Sequence, residues 1–212
     1  MPWIIIGITI SYLVGSIPTA YLFGRLLKGI DIRQFGSGNV GATNALRVLG
    51  KGPGITVLFL DILKGYIAVV FVGNFVASRF SGISLEALRI LLGISCISGH
   101  NWTIFLRFKG GKGIATTLGV LIGLATQMAA LRTILALVIV TWLVVFVISK
   151  IVSLSSLVAG VSLPIFTLLF RQSAVLTATS ILLAVFVVLR HKNNLIRLFQ
   201  GTEPRLSFNK AK

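Results

Sequence analysis

Acids are nearly missing from this sequence. Four Asp and Glu (Asp31, Asp61, Glu86 and Glu203) stand against 20 Lys and Arg in 212 residues. Charged residues make up 11% of the chain, against about 25% in soluble domains. A water-soluble globule this poor in charge could not cover its own surface. Disorder is excluded too, because disordered chains are polar and charge-rich. The single cysteine, Cys96, has no internal disulfide partner, which also excludes multi-cysteine zinc and iron–sulfur sites. With only two histidines, His100 and His191, no dedicated metal-ligand set is legible, and neither metal nor cofactor is expected. What remains is apolar: 56% hydrophobic residues and 22 glycines, the composition of a polytopic membrane protein.

Apolar runs mark the spans. Residues 3–24 carry no charge, no basic residue precedes the run and no A-x-A site ends it, so it reads as a retained first span. Residues 52–76, interrupted by Asp61 and Lys64, form a second, and residues 87–106 a third. A span needs about 20 residues. The runs 113–149 and 151–189 are therefore each two helices, turning near Thr126–Arg132 and at Arg171. The fold expected is all-α, one membrane domain over 1–212 with about seven transmembrane helices. Gly15, Ser16 and Pro18 predict a bend in the first of them.

Basic residues set the orientation. Fifteen of the 20 Lys and Arg fall in 25–51, 107–112, 150 and 190–212. Arg79, Arg89, Arg132 and Arg171 fall on the other side, and Lys64 lies within a span. The positive-inside rule puts the N-terminus outside and the C-terminus in the cytoplasm. The net charge of +16 then meets anionic lipid headgroups and needs no nucleic acid.

The unusual residues collect on that same side, in loops at about 25–51 and 107–113 and a tail from about 190 to 212. The first loop holds Gly36-Ser37-Gly38-Asn39-Val40-Gly41-Ala42-Thr43-Asn44 and then Arg47. The second reads Lys109-Gly110-Gly111-Lys112-Gly113 and runs straight into an apolar helix. The tail opens with Arg190-His191-Lys192-Asn193-Asn194. Glycine lets several backbone N–H groups point at one anion, and a helix start adds its dipole. Two ammonium groups flank the second turn, so its ligand reads as a phosphate. Ser37, Asn39, Thr43 and Asn44 add hydroxyls and amides, and arginine can grip phosphate with two parallel bonds.

Two familiar phosphate motifs do not apply. Gly36, Gly38 and Gly41 fit G-x-G-x-x-G, but the βαβ unit that motif needs is missing. A Walker loop needs Ser or Thr after its lysine, and Lys112 is followed by Gly113. Asp61 and Lys64 stand three apart on one helix face and read as a structural ion pair. His100, at a helix end, reads as a hydrogen-bonded structural group and Glu203 as the partner of a basic loop. His191 is the better functional candidate, with an ordinary pKa near neutrality among Arg190, Lys192, Asn193 and Asn194.

These motifs together resemble the bacterial membrane glycerol-3-phosphate acyltransferases that use acyl phosphate. The resemblance rests on Gly15-Ser16-Ile17-Pro18, Gly36 to Gly50, Asp61-x-x-Lys64-Gly65, Gly99-His100 through Gly113, and His191-x-x-Asn194-x-x-Arg197-Leu198 with Gly201 and Glu203. Leu195 stands where isoleucine is usual, a conservative departure. The resemblance implies seven spans with cytoplasmic motifs at a bacterial inner membrane. It implies transfer of a fatty acyl group from acyl phosphate to the 1-hydroxyl of glycerol 3-phosphate, giving lysophosphatidic acid and phosphate. It implies Ser37 and Arg47 in catalysis or phosphate binding, Lys109 to Gly113 in phosphate binding, His191 and Asn194 near the reacting groups, and structural support from Glu203.

No Ser-His-Asp arrangement is evident, which predicts direct attack without an acyl-enzyme. Lys112, Arg47 and Asn194 are the expected donors to developing negative charge. His191 either takes the hydroxyl proton or orients the acceptor while a substrate phosphate oxygen takes it. The rivals are a transporter for an organic phosphate or phospholipid and an acyl-phosphate hydrolase. One-sided loops and the lack of an inverted repeat speak against transport.

Overall fold

The computed structural model describes residues 1–206, and every regular element among them is helical. The chain divides into two compact units, Met1–Ala129 and Ala130–Lys212. Lys210 and Lys212, counted with the inner basic residues, lie outside the described residues.

The first unit opens with α1 (Pro2–Ser16) and α2 (Thr19–Lys28), one apolar run broken at Ile17–Pro18, as the sequence predicts. Proline supplies no N–H and disturbs the preceding turn, so carbonyls near the break need partners from elsewhere. Thr103 Oγ1 donates to Ser16 O at 2.5 Å and Lys64 Nζ to Ile17 O at 3.3 Å. A loop and a short helix, α3 (Ala42–Leu49), lead into α4 (Lys51–Ile67), which continues through a π-helical turn (Ala68–Val72) into α5 (Gly73–Ala77). Then α6 (Leu85–Asn101) starts at Ser84, whose hydroxyl accepts from Ala87 N–H. The third apolar run is expected to reach 106; the helix stops at Asn101, where Trp102 leaves helical backbone (φ −130, ψ 61) and Thr103 caps a separate 3-10 turn, Ile104–Leu106. α7 (Ile114–Gln127) closes the unit.

Small residues set the helix pairs. A methyl group on Gly15 would collide with Cys96 O, and one on Gly119 with Ile62 O. These contacts bring backbones together as small residues do in membranes, where lipid gives apolar side chains little reason to associate. They also fix direction. Gly7 faces Leu92 and Gly15 faces Cys96, so α1 and α6 run in parallel. Gly7 also faces Val76, while Ile17 faces Lys64, so α4 and α5 run opposite to α1. Ile62 meets Gly119 and Val69 meets Gly123, so α7 runs with α4. The end of α2, the starts of α3 and α4, the end of α6 and the start of α7 therefore share one end of the unit.

The second unit contains α8 (Ala130–Ser149), α9 (Val152–Leu169), α10 (Ala174–Arg190) and α11 (Lys192–Phe199). Trp142 Nε1 donates to Ser156 Oγ at 3.2 Å between α8 and α9, and the Thr167 and Ser180 hydroxyls pair at 3.0 Å between α9 and α10. The breaks at Met128–Ala129 and Phe170–Ser173 coincide with the turns expected near 126–132 and at 171. Among the described residues, Pro2–Lys28, Lys51–Ala77, Ala130–Ser149 and Val152–Leu169 are long and apolar enough to cross a membrane. α10 with α11, bent by 62°, makes a fifth if the pair counts as one span. α6 and α7, at 17 and 14 residues, are shorter than the roughly 20 residues of a full crossing.

Candidate active site

Both glycine-rich loops of the first unit lie at its common end, joined by a shared apolar core. Leu106 of the second loop packs into the cluster of Ile32, Val40, Ala45 and Val57.

The first loop is folded by its own side chains. Asp31 caps a 3-10 turn (Ile32–Gln34), accepting from Arg33 N–H at 3.0 Å. The Arg33 guanidinium returns to the same carboxylate at 2.9 Å (Nε to Oδ1) and 2.6 Å (Nη2 to Oδ2). That charged hydrogen bond, outweighing partial burial, holds the Asp31 carboxyl down at about 2. Arg25 and Arg33 also flank the Tyr21 ring, 5.4 and 5.3 Å from its centroid. Asn44, in the first turn of α3 and 1% exposed, donates to Ile32 O and Phe35 O and accepts from Ser37 N–H at 2.9 Å. Gly36 (φ 60) is required because a methyl group there would meet Asn44 Oδ1. Asn44, expected among the substrate-binding residues, thus has its amide committed to the loop. The result is an exposed Ser37, half-buried Asn39 and Thr43, and an exposed Arg47 on α3.

The second loop differs from the expectation in one respect. Glycine amides at 110 and 111 were expected to face an anion. Instead Gly110 N–H donates to Asn101 O at 3.2 Å and Gly111 N–H to His100 O at 3.0 Å. The turn is laid on the last carbonyls of α6, which have no partner within that helix. Glycine is needed at both positions for fit: a side chain at 110 would meet His100 O, and one at 111 the His100 ring. Gly113, at φ 83, starts α7 with no side-chain cap, an arrangement that presents first-turn N–H groups to an anion. Lys109 is exposed and Lys112 half-buried beside this helix start.

Beneath the loops lies a buried polar cluster. Lys64 Nζ sits 2.8 Å from Asp61 Oδ1 and 2.7 Å from His100 Nδ1, and Thr19 Oγ1 donates to Asp61 Oδ1 at 2.7 Å. The ion pair expected from the i,i+3 spacing is present, and His100 and Thr19 join it. Neither was predictable as a partner, since both come from other helices.

In the second unit, His191 is buried where α10 meets α11, with Nδ1 2.8 Å from Val187 O. A carbonyl only accepts, so Nδ1 carries a proton. Asn194 and Arg197, on α11, converge on Glu203. Its Oε1 accepts from Ser153 Oγ at 2.7 Å and Asn194 Nδ2 at 2.5 Å, and its Oε2 from Arg197 Nε at 2.7 Å. Burial raises the Glu203 carboxyl, but these three donors outweigh it and the group lies below its ordinary range. Glu203 was expected to pair with a basic segment; Ser153 was not anticipated. Among the described residues no three His, Cys, Asp or Glu side chains gather as metal ligands.

Apolar helices, buried charge pairs and glycine-rich cationic loops at one end of the first unit define an integral membrane protein. Comparison with known proteins makes the assignment specific. A family model described as glycerol-3-phosphate acyltransferase matches residues 5–201. A glycerol-3-phosphate acyltransferase of Synechococcus sp. (strain CC9902) is 42% identical over 94% of this chain and 93% of its own. That of Desulforudis audaxviator is 43% identical over 98% of each. Among solved structures, the glycerol 3-phosphate form of PlsY (YgiH), an integral membrane glycerol 3-phosphate acyltransferase, superposes with a TM-score of 0.83 at 33% identity, covering 96% of both chains. Its lysophosphatidic acid form gives 0.80. The chain belongs to the glycerol-3-phosphate acyltransferase family and is a membrane acyltransferase.

Proposed function

We propose that this protein transfers a fatty acyl group from acyl phosphate to the 1-hydroxyl of glycerol 3-phosphate. Lysophosphatidic acid and inorganic phosphate are the products. The observation that carries this reading is the joining of two cationic, glycine-rich loops at one end of the first unit, beside apolar helices. Both substrates bear a phosphate, and the donor also bears a fatty tail suited to lipid. Forms of the PlsY structure with glycerol 3-phosphate and lysophosphatidic acid support the same acceptor and product.

The acceptor hydroxyl oxygen attacks the acyl carbonyl carbon, the C–O bond to phosphate breaks, and no acyl-enzyme forms. Acyl phosphate is already activated, so catalysis consists of positioning and charge stabilisation. Ser37, Arg47 and Lys112 hold phosphate and carbonyl oxygens, with Gly36, Gly38, Asn39, Thr43, Lys109 and Gly113 shaping the head-group sites. Asn194 supplies a further polar contact. His191 takes the hydroxyl proton at Nε2, a role its Nδ1–H bond to Val187 O suits. The whole chain works as one catalytic domain with seven membrane crossings. Its N-terminus is outside, its C-terminus and site face the cytoplasm, and no cofactor takes part.

Purified protein in lipid nanodiscs, given acyl phosphate with and without glycerol 3-phosphate, tests this. Lysophosphatidic acid formed only with the acceptor is the expected result. Free fatty acid instead points to a hydrolase, and no chemistry at all leaves transport. A covalent acyl-protein trapped on Ser37 by rapid quench would rule out direct attack.

A further inference from the structure

Lys64 and His100 make a contact to which the acylation chemistry assigns no role. Lys64 Nζ lies 2.7 Å from His100 Nδ1, 2.8 Å from Asp61 Oδ1 and 3.3 Å from Ile17 O. All three side chains are buried. An ammonium group carries three donors and no acceptor. Its three N–H bonds match these three acceptors, so His100 Nδ1 offers its lone pair. The competing arrangement, a protonated Nδ1 donating to Asp61, fails on distance: that separation is 3.7 Å, too long for a hydrogen bond. An imidazole whose Nδ1 accepts is neutral and holds its proton on Nε2.

That Nε2 abuts the basic turn. A methyl group on Gly111 would collide with Nε2 and crowd the two ring carbons beside it, at 2.9 and 3.0 Å. The same turn is tied to the His100 carbonyl through Gly111 N–H at 3.0 Å. His100 thus meets the turn with both its backbone and its ring. The ring's orientation is set from below by Lys64. Lys64 is itself held by Asp61, which Thr19 fixes at 2.7 Å, and by the break in the first span.

We propose that Lys64 and Asp61 lock His100 as the neutral Nε2–H tautomer, and that this fixed imidazole is the wall against which the Gly110–Gly111 turn is set. Lys64 and His100 are then positioning residues for Lys109 and Lys112, acting through the turn rather than on substrate. The kinetic consequence rests on the reading of that turn as a phosphate site; the tautomer does not.

Nitrogen NMR on protein labelled with 15N-histidine, full length in nanodiscs at neutral pH, reads the tautomer directly. The H191Q spectrum tells the two histidines apart. The expected result is Nε2–H at His100 in the parent protein, with Nδ1–H or a mixture of both neutral forms in K64M. An imidazolium or an Nδ1–H ring at His100 in the parent protein overturns the proposal. A steric test uses His100→Asn, which keeps an acceptor for Lys64 and vacates the space at Nε2. Gly111→Ala lowers kcat/KM at least tenfold in the parent background and less than twofold in the His100→Asn background. Equal losses in both backgrounds overturn the wall; His100→Ser serves if the asparagine variant does not fold. Failure to make lysophosphatidic acid would reject the acylation reading and leave the NMR result to judge this one.

Discussion

Asn194 Nδ2 donates to Glu203 Oε1, the oxygen that also accepts from Ser153 on α9. The carboxylate therefore fastens α11 to α9, and with it the side chain proposed to contact substrate. Exchange for glutamine removes the charge facing Arg197 and turns part of the acceptor into a donor. Glu203→Gln is expected to lower acylation at least tenfold and to reduce thermal stability, measured by melting in nanodiscs. Because the folded carboxyl lies below its ordinary range, its stabilisation is complete above the unfolded value and is lost as pH falls through the folded one. The parent protein should therefore lose melting temperature below about pH 4.3, and Glu203→Gln should fall less steeply there. Identical pH profiles would deny the carboxylate this role.

Asp31 makes a parallel case in the first unit. Its carboxyl drops from 3.8 to about 2, chiefly through the Arg33 hydrogen bond. The stabilisation it gives the first loop is present above pH 3.8 and disappears between 3.8 and 2. Asp31→Asn keeps a cap acceptor for Arg33 N–H but not the ion pair. It should flatten the melting profile in that window and raise the KM for glycerol 3-phosphate severalfold at neutral pH. An unchanged KM would mean that the loop keeps its shape without the pair.

How much of this was legible depended on range along the chain. The Asp61–Lys64 pair and the break at Pro18 are local patterns, readable because their partners lie within one helical turn. His100 enters the same cluster from 36 residues beyond Lys64, and no spacing rule reaches that far. Gly110 and Gly111 stand out as glycines, but the sequence does not show what needs them. Their N–H groups bond to carbonyls of Asn101 and His100, and it is the lack of a Cβ that matters. Asn44 suggests a ligand in the sequence because it is a polar side chain in a glycine-rich loop. Only the folded loop shows two carbonyls and an N–H waiting for that amide. The α6 end at Asn101 was missed because Trp102–Phe108 is apolar enough to extend the run while its backbone turns back.

Asn44 separates loop architecture from substrate contact. Asn44→Ala leaves two carbonyls and one N–H without their partner, and an unmet buried group costs about 1–3 kcal/mol. Asn44→Asp keeps the acceptor for Ser37 N–H but sets negative oxygen against Ile32 O and Phe35 O. Both variants should melt lower than the parent, with the aspartate at least as damaging although it is nearly isosteric. Full stability in Asn44→Asp, with activity lost, would instead place the amide on substrate.

His191 carries the sharpest prediction about the chemistry. Its Nδ1–H is fixed on Val187 O, and the proposed base is Nε2. Glutamine can place an amide nitrogen near that position, but it cannot take a proton. A positioned general base contributes about 10²–10⁴-fold. His191→Gln is therefore expected to lower kcat by at least a hundredfold while KM for glycerol 3-phosphate changes little, since an amide can still hold the acceptor. His191→Asn, which fills the Nδ1 position instead, should keep the bond to Val187 O and lose both the base and the contact. In that variant kcat falls and KM rises. Near-normal turnover by His191→Gln at saturating substrate would transfer the proton to a phosphate oxygen of the substrate and reduce the ring to an orienting group.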